Sequence, residues 1–198
     1  GRALHPNFSV GANLKSIYSS YYLYNSFGLA VDVAGTYHNP EHLFSTSLLV
    51  KNIGSQIKPY NIGHTEPLPF EVQLAMSKKL EHVPLRFHLL LHNLQKYDIT
   101  YNDPSSDKQY DPFTGAEILP SKIEDLANKL MHHIVLGIEL SPTKSFALRL
   151  GYNYHRRKEM IVDTKLSTVG ISWGFGFKVY KFAFSYARSA YHLAGSPN

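Results

Sequence analysis

Cysteine is absent from the 198-residue chain, which excludes a disulfide framework, a thiolate metal site and a cysteine nucleophile. Long apolar runs are missing as well. No stretch of about 18 apolar residues occurs, so no transmembrane helix is encoded. The opening residues, GRALHPNFSV, contain neither an initiating Met nor an apolar segment and are not a signal peptide. They read as the interior of a longer protein. Charge is only mildly one-sided, with 20 Lys and Arg against 15 Asp and Glu and a formal net charge of +5. That balance suits contact with lipid headgroups or lipopolysaccharide and is equally common in proteins that bind nothing acidic.

What the chain has in plenty is aromatic side chains, 14 Tyr and 11 Phe, many at the ends of apolar stretches. Amphipathic rings placed there match the girdles of a membrane barrel, where hydrocarbon meets headgroup. The dominant pattern is period-two alternation in segments of about ten residues, the length a tilted transmembrane strand needs. In residues 144–155, Phe146, Leu148, Leu150, Tyr152 and Tyr154 fall on one face, with Ser145, Ala147, Arg149, Gly151 and Asn153 on the other. Residues 166–180 set Val169, Ile171, Trp173, Phe175, Phe177 and Val179 against Thr168, Gly170, Ser172, Gly174, Gly176 and Lys178.

Continued along the chain, the alternation predicts strands over 7–17, 25–37, 42–53, 68–80, 84–96, 129–140, 144–155, 166–180 and 181–192. The charges Lys15, Asp32, Lys51, Glu71, Arg86, Glu139, Arg149 and Lys178 fall on the small, polar face. Their mixed signs predict a polar interior in which charges pair. A soluble barrel or sandwich would turn the large apolar face inward instead, and alternation alone does not choose between the two. Link lengths favour the membrane. In order, 18–24 is longer and 38–41 short; 54–67 is long and 81–83 short; 97–128 is very long and 141–143 short. Residues 156–165 are intermediate, and Tyr180–Lys181 is nearly a direct turn. Outer-membrane barrels combine short periplasmic turns with long extracellular loops in this way. The fold class expected is therefore all-β, an antiparallel transmembrane outer-membrane barrel, with residues 1–198 forming one partial barrel domain, an incomplete C-terminal portion of the whole. Its two open edges would be costly in hydrocarbon, so further strands are expected outside this sequence.

The segments GANLKSIYSSYYLYNSFGLAVDVAGTYHNP and LLVKNIGSQIKPY resemble the PorV/PorQ branch of FadL-like barrels. The segments LPFEVQLAMSKKLEHVPLRFHLLLHNLQKYD and FKVYKFAFSYARSAYHLAGSPN resemble its PorQ-like members. The resemblance covers essentially the whole chain. It implies a non-enzymatic outer-membrane protein of a Gram-negative bacterium, within the attachment machinery of type IX secretion. The implied partners are outer-membrane lipid, lipopolysaccharide and a PorZ-like surface protein, with PorU and PorV in the same complex and no nucleic acid. The implied task is to hold the PorZ-like protein while cargo is joined to anionic lipopolysaccharide. No cofactor and no catalytic motif comes with the family. The alternative is a FadL-like transporter of hydrophobic solutes.

Chemistry-bearing residues predict no catalytic, cofactor-binding or metal site. Among eleven histidines, His132 and His133 would point to opposite faces of a strand. His88 and His92 would share a face, but about 13 Å apart, too far to ligate one ion. Glu81-His82 lies in a short turn, and HExxH and GxSxG are absent. Ser185, Ser189 and His192 are better explained as small lumen residues and an interfacial histidine than as a hydrolase site. Asn52-Ile53-Gly54 and Ala194-Gly195-Ser196-Pro197 read as strand-ending turns. The cluster Tyr18, Tyr21, Tyr22 and Tyr24 suits a girdle, a lumen plug or a partner contact. The run Tyr180, Phe182, Phe184 and Tyr186 suits a lipid-facing strand. His155-Arg156-Arg157-Lys158 suits either lipopolysaccharide phosphate or a solvated loop tip. In the 97–128 loop, Ser121 and Glu124 form a capping box, and Ile123, Leu126, Ala127 and Leu130 recur at helical spacing. A short extracellular helix that contacts a partner is expected there.

Overall fold

The computed structural model describes residues 1–61, 63, 65–101, 121–160 and 168–190. Ten strands form a single sheet in strict sequence order, every neighbour antiparallel. They are β1 (Arg2–His5), β2 (Phe8–Tyr21), β3 (Tyr24–Asn39), β4 (Phe44–Lys58), β5 (Glu71–Lys79), β6 (Leu85–Leu91), β7 (Ile134–Thr143), β8 (Phe146–Asn153), β9 (Ile171–Val179) and β10 (Phe182–Ser189). Helix α1 (Lys122–His132) lies between β6 and β7, and α2 (Tyr154–Met160) between β8 and β9. No helix among the described residues is long and apolar enough to cross a membrane. No pairing joins β1 to β10 among those residues.

Cross-strand register carries the alternation from strand to strand. Phe87, Ile138, Leu150 and Trp173 are successive partners on one face. Ser77, His88, Gly137, Gly151, Ser172 and Ser189 make the matching row on the other. Six of the eight charges expected to pair do so on this second face, while Arg86 donates to Ser77 Oγ at 3.3 Å instead. Lys15 Nζ meets Asp32 Oδ2 at 2.6 Å, Lys51 Nζ meets Glu71 Oε2 at 3.2 Å, and Arg149 Nε meets Glu139 Oε2 at 2.7 Å.

There is almost no interior. Among the described residues only Ala30 and Val169 are buried hydrophobics, and the accessible surface is 15055 Å². A compact soluble chain of this mass exposes roughly 9,400 Å². The apolar face is the more open of the two. Leu14 is 74% exposed and Leu150 60%, while the Lys15 and Asp32 side chains are only 30% and 16% exposed.

Several boundaries differ from the alternation-based reading. β1 is an additional strand, because Arg2 and Ala3 pair with Val10 and Ser9. The 18–24 segment is not a long link: β2 and β3 stay paired to Tyr21↔Tyr24, and Tyr22–Leu23 closes a hairpin with Tyr22 at φ 53°. Asn52-Ile53-Gly54 does not end a strand either. Asn52 takes φ 57°, and the β3–β4 register shifts between Val31 and Val33. Asn52 is thus an extra residue in a bulge through which β4 continues. Its backbone N–H donates to Asp32 Oδ1 at 2.9 Å, so the inward carboxylate satisfies the donor that the bulge takes out of the ladder. Residues 141–143 belong to β7, and the turn falls at Lys144–Ser145.

Val169 is not on the exposed apolar face. It sits fully buried in the turn before β9, followed by Gly170 at φ 81°. Tyr180 is a turn residue at φ 55° rather than part of β10. His192, Ala194-Gly195-Ser196-Pro197 and most of the DITYNDPSSDKQYDPFTG stretch lie outside the described residues.

Antiparallel order sorts the links between two edges of the sheet. One edge carries 6–7, 40–43, 80–84, 144–145 and 180–181. The other carries the Tyr22–Leu23 hairpin, 59–70, 92–133 and 154–170. Every long link therefore lies at one edge, and both helices are there.

Candidate functional site

The long-link edge gathers the polar groups that the sheet does not use. Helix α1 begins as its sequence dictates. Ser121 Oγ accepts from the Glu124 N–H at 3.3 Å, and Glu124 Oε2 accepts from the Ser121 N–H at 2.9 Å. This reciprocal pair satisfies two of the donors a helix start leaves free. Asp125 and Asp98 hold Lys129 at 2.8 and 3.2 Å, which fixes α1 to the chain leaving β6 and raises the Lys129 pKa. The hydroxyl and N–H of Thr100 donate to Asp98, and with Lys129 they lower its carboxyl to about 2. On an adjoining face of the helix, Ile123, Leu126 and Leu130 form an apolar stripe that is 80%, 45% and 55% exposed.

Helix α2 replaces the expected end of a strand. Asn153 Oδ1 accepts from the Arg156 N–H at 2.9 Å, an N-cap contact that turns the chain into a helix at Tyr154. The helical turn then sets His155 and Glu159 side by side, with Nε2 and Oε2 3.3 Å apart.

The strand expected over 129–140 begins only at Ile134, and His132 closes α1. The premise that His132 and His133 point to opposite strand faces therefore fails. His132 is 3% exposed, and its Nδ1 donates to the Asn128 carbonyl at 2.7 Å. That bond leaves the Nε2 lone pair available. The His132 ring lies 5.5 Å from the His155 ring, and His92 lies 6.0 Å from His155. One ring nitrogen each from His132 and His155 and one carboxylate oxygen from Glu159 fall within 4.8 Å of one another. His155 Nδ1 and His92 Nε2 are buried without a hydrogen-bond partner. Burial is the main cause holding both imidazoles below their ordinary pKa. His133 is occupied otherwise, its two nitrogens facing the His92 and Tyr97 carbonyls at 2.8 and 3.3 Å.

The other sequence candidates lie outside this cluster. His88 stays on β6, lining a trough of about 550 Å³ on the polar face with Glu139, Arg149 and Ser172. Ser189 Oγ accepts from Arg156 Nη1 at 2.9 Å, so Arg156 joins α2 to β10. Arg157 donates to the Val169 carbonyl at 3.4 Å, and Lys158 lies over the Tyr154 ring. The 155–158 run is thus an engaged helix rather than a solvated loop tip. The sequence held a signal for the histidine corner in Asn153 three residues before Arg156, with His155 and Glu159 at helical spacing, but Tyr152 and Tyr154 mask it by extending the strand alternation.

Comparison with protein-family models and with curated proteins gives no match for this chain.

Proposed function

We propose that this sheet is part of an outer-membrane β-barrel that acts as a scaffold, presenting its long-link edge to a protein partner at the cell surface. A single antiparallel layer with a continuous apolar face and, among the described residues, no second layer over it suits hydrocarbon on that face. The paired charges suit a lumen, where ions of opposite sign are held close. Apart from Arg149, they are less exposed than the apolar face, as on the inner side of a curved sheet, where side chains converge. The observation that carries the scaffold reading is the amphipathic helix α1, whose Ile123, Leu126 and Leu130 stripe is uncovered at the long-link edge. Such a stripe suits a helix-in-groove contact.

From the family resemblance, the partner is a PorZ-like protein and the setting is a type IX attachment complex with PorU and PorV that joins cargo to lipopolysaccharide. Ile123→Asp with Leu126→Asp should leave the barrel inserted while the PorZ-like partner no longer co-purifies and cargo is released from the cell. The FadL-like transporter reading predicts instead that filling the polar face, by Gly176→Leu, abolishes solute uptake. Partner retention and normal cargo attachment in the double Asp variant would overturn the scaffold assignment.

A further inference from the structure

We propose that His132, His155 and Glu159 form a binding site for a divalent transition-metal ion of the zinc class, which clasps the two helices of the long-link edge together.

Three features converge on this. The ligand types are two imidazoles and one carboxylate, a set that zinc takes readily. The distances are close to those required. Tetrahedral zinc with bonds of about 2.0–2.2 Å sets its ligand atoms about 3.3 Å apart. The His155 and Glu159 atoms stand at that separation already, 3.3 Å, and all three groups lie within 4.8 Å.

The surrounding hydrogen bonds also prepare the ligands. The Asn128 carbonyl fixes the His132 tautomer at 2.7 Å, leaving Nε2 to donate its lone pair, and metal-bound histidines are oriented by such second contacts. The Tyr101 N–H donates to Glu159 Oε1 at 3.0 Å, which orients the carboxylate and leaves Oε2 toward His155.

The consequence is mechanical. His132 stands at the end of the β6–β7 link, and His155 and Glu159 stand in the β8–β9 link. The Tyr154 hydroxyl donates to Asn128 Oδ1 at 2.9 Å and the Tyr101 N–H to Glu159 across those two links, and a shared ion would add a stronger tie that holds them as one body. α1 carries the exposed apolar stripe, so metal occupancy would set how rigidly that stripe is presented. The site stands on its own geometry and does not depend on the scaffold reading.

The test uses the whole chain folded in detergent, stripped with chelator and titrated with Zn²⁺, with Co²⁺ as a spectroscopic probe. One Zn²⁺ per chain is expected, together with visible ligand-field absorption from Co²⁺. His155→Ala and Glu159→Gln should each weaken Zn²⁺ binding by at least about tenfold. His38→Ala, at the opposite edge, should leave it unchanged. His132 is buried and its replacement risks misfolding, so exposed Glu159 carries the test. A second measurement is trypsin cleavage at Lys122, which Zn²⁺ should slow in the unaltered protein and not in Glu159→Gln. Failure to retain Zn²⁺, retention unaffected by both substitutions, or loss of binding with His38→Ala would each overturn the proposal.

Discussion

Gly54 packs its backbone directly onto Ala30. A Cβ at Gly54 would stand 2.7 Å from the Ala30 Cα and closer still to the Leu29 carbonyl oxygen. This approach lies two residues past the Asn52 bulge, where β4 carries one residue more than β3. Gly54→Val should therefore cost about 1–3 kcal/mol, the range for forcing volume into a filled space. The fraction that keeps its folded mobility on an unheated gel reports this, and Gly35→Ala, where a Cβ would meet only the Phe8 ring at 3.5 Å, should behave as the unaltered chain.

The two faces of β9 and β10 make opposite demands. Phe175 stands on the apolar face, between Leu148 and Tyr186, and Phe175→Arg should cost about 2–4 kcal/mol if that face meets hydrocarbon near the midplane. Ser185, on the polar face opposite Gly176, should accept Arg with little loss. Urea unfolding in lipid vesicles measures both. The reverse ranking would place the apolar face inward, as in a soluble barrel. Gly174 is unsuitable for such a test, because a Cβ there would meet the Tyr186 carbonyl at 2.7 Å.

The division of links between two edges predicts accessibility. Single cysteines in 59–70, 92–101 and 154–160 should react with an impermeant maleimide on whole cells, while those in 40–43, 80–84 and 144–145 should react only after the envelope is opened. Equal labelling at both edges would contradict a spanning sheet.

Asp98 gives the α1 corner a pH dependence whose sign follows from its carboxyl being lowered to about 2. A carboxyl more acidic in the folded state than its unfolded value of about 3.9 stabilises fully above the unfolded value, and the contribution is lost as pH falls toward 2. The protection of α1 amides, measured relative to their intrinsic exchange rate at each pH, should be unchanged at pH 5 and fall between about pH 4 and 2. Asp98→Asn should remove that step, leaving the protection of α1 the same at both ends of the window.

Ser121 and Glu124 secure the helix start, and Ser121→Ala should cost about 1 kcal/mol of local helix stability. Faster exchange over the first turn of α1, with the sheet unchanged, is the expected signature.

How much of this was legible in the sequence depended on how local the cause was. Alternation depends only on the pleat, so the order of residues alone places Phe146, Leu148, Leu150 and Tyr152 on one face and Arg149 on the other. The capping box was equally legible, because Ser121 and Glu124 lie within one turn and their contacts are the helix start itself. The same locality determined that the long links fall at one edge, since consecutive antiparallel strands must alternate ends.

Tertiary structure decided where the elements stop. Asn52 reads as a turn residue by composition, yet pairing with β3 and the Asp32 carboxylate carries the strand through it. Val169 reads as one more outward residue, yet the turn at Gly170 folds it inward. The histidine corner was decided last. His92, His132 and His155 are distant in sequence and meet only because β6, β7 and β8 are neighbours, while Asn153 and Ser121 turn the adjoining chain into helices. Period-two alternation carries no information about that meeting, because it is set by register and by caps rather than by hydrophobic pattern.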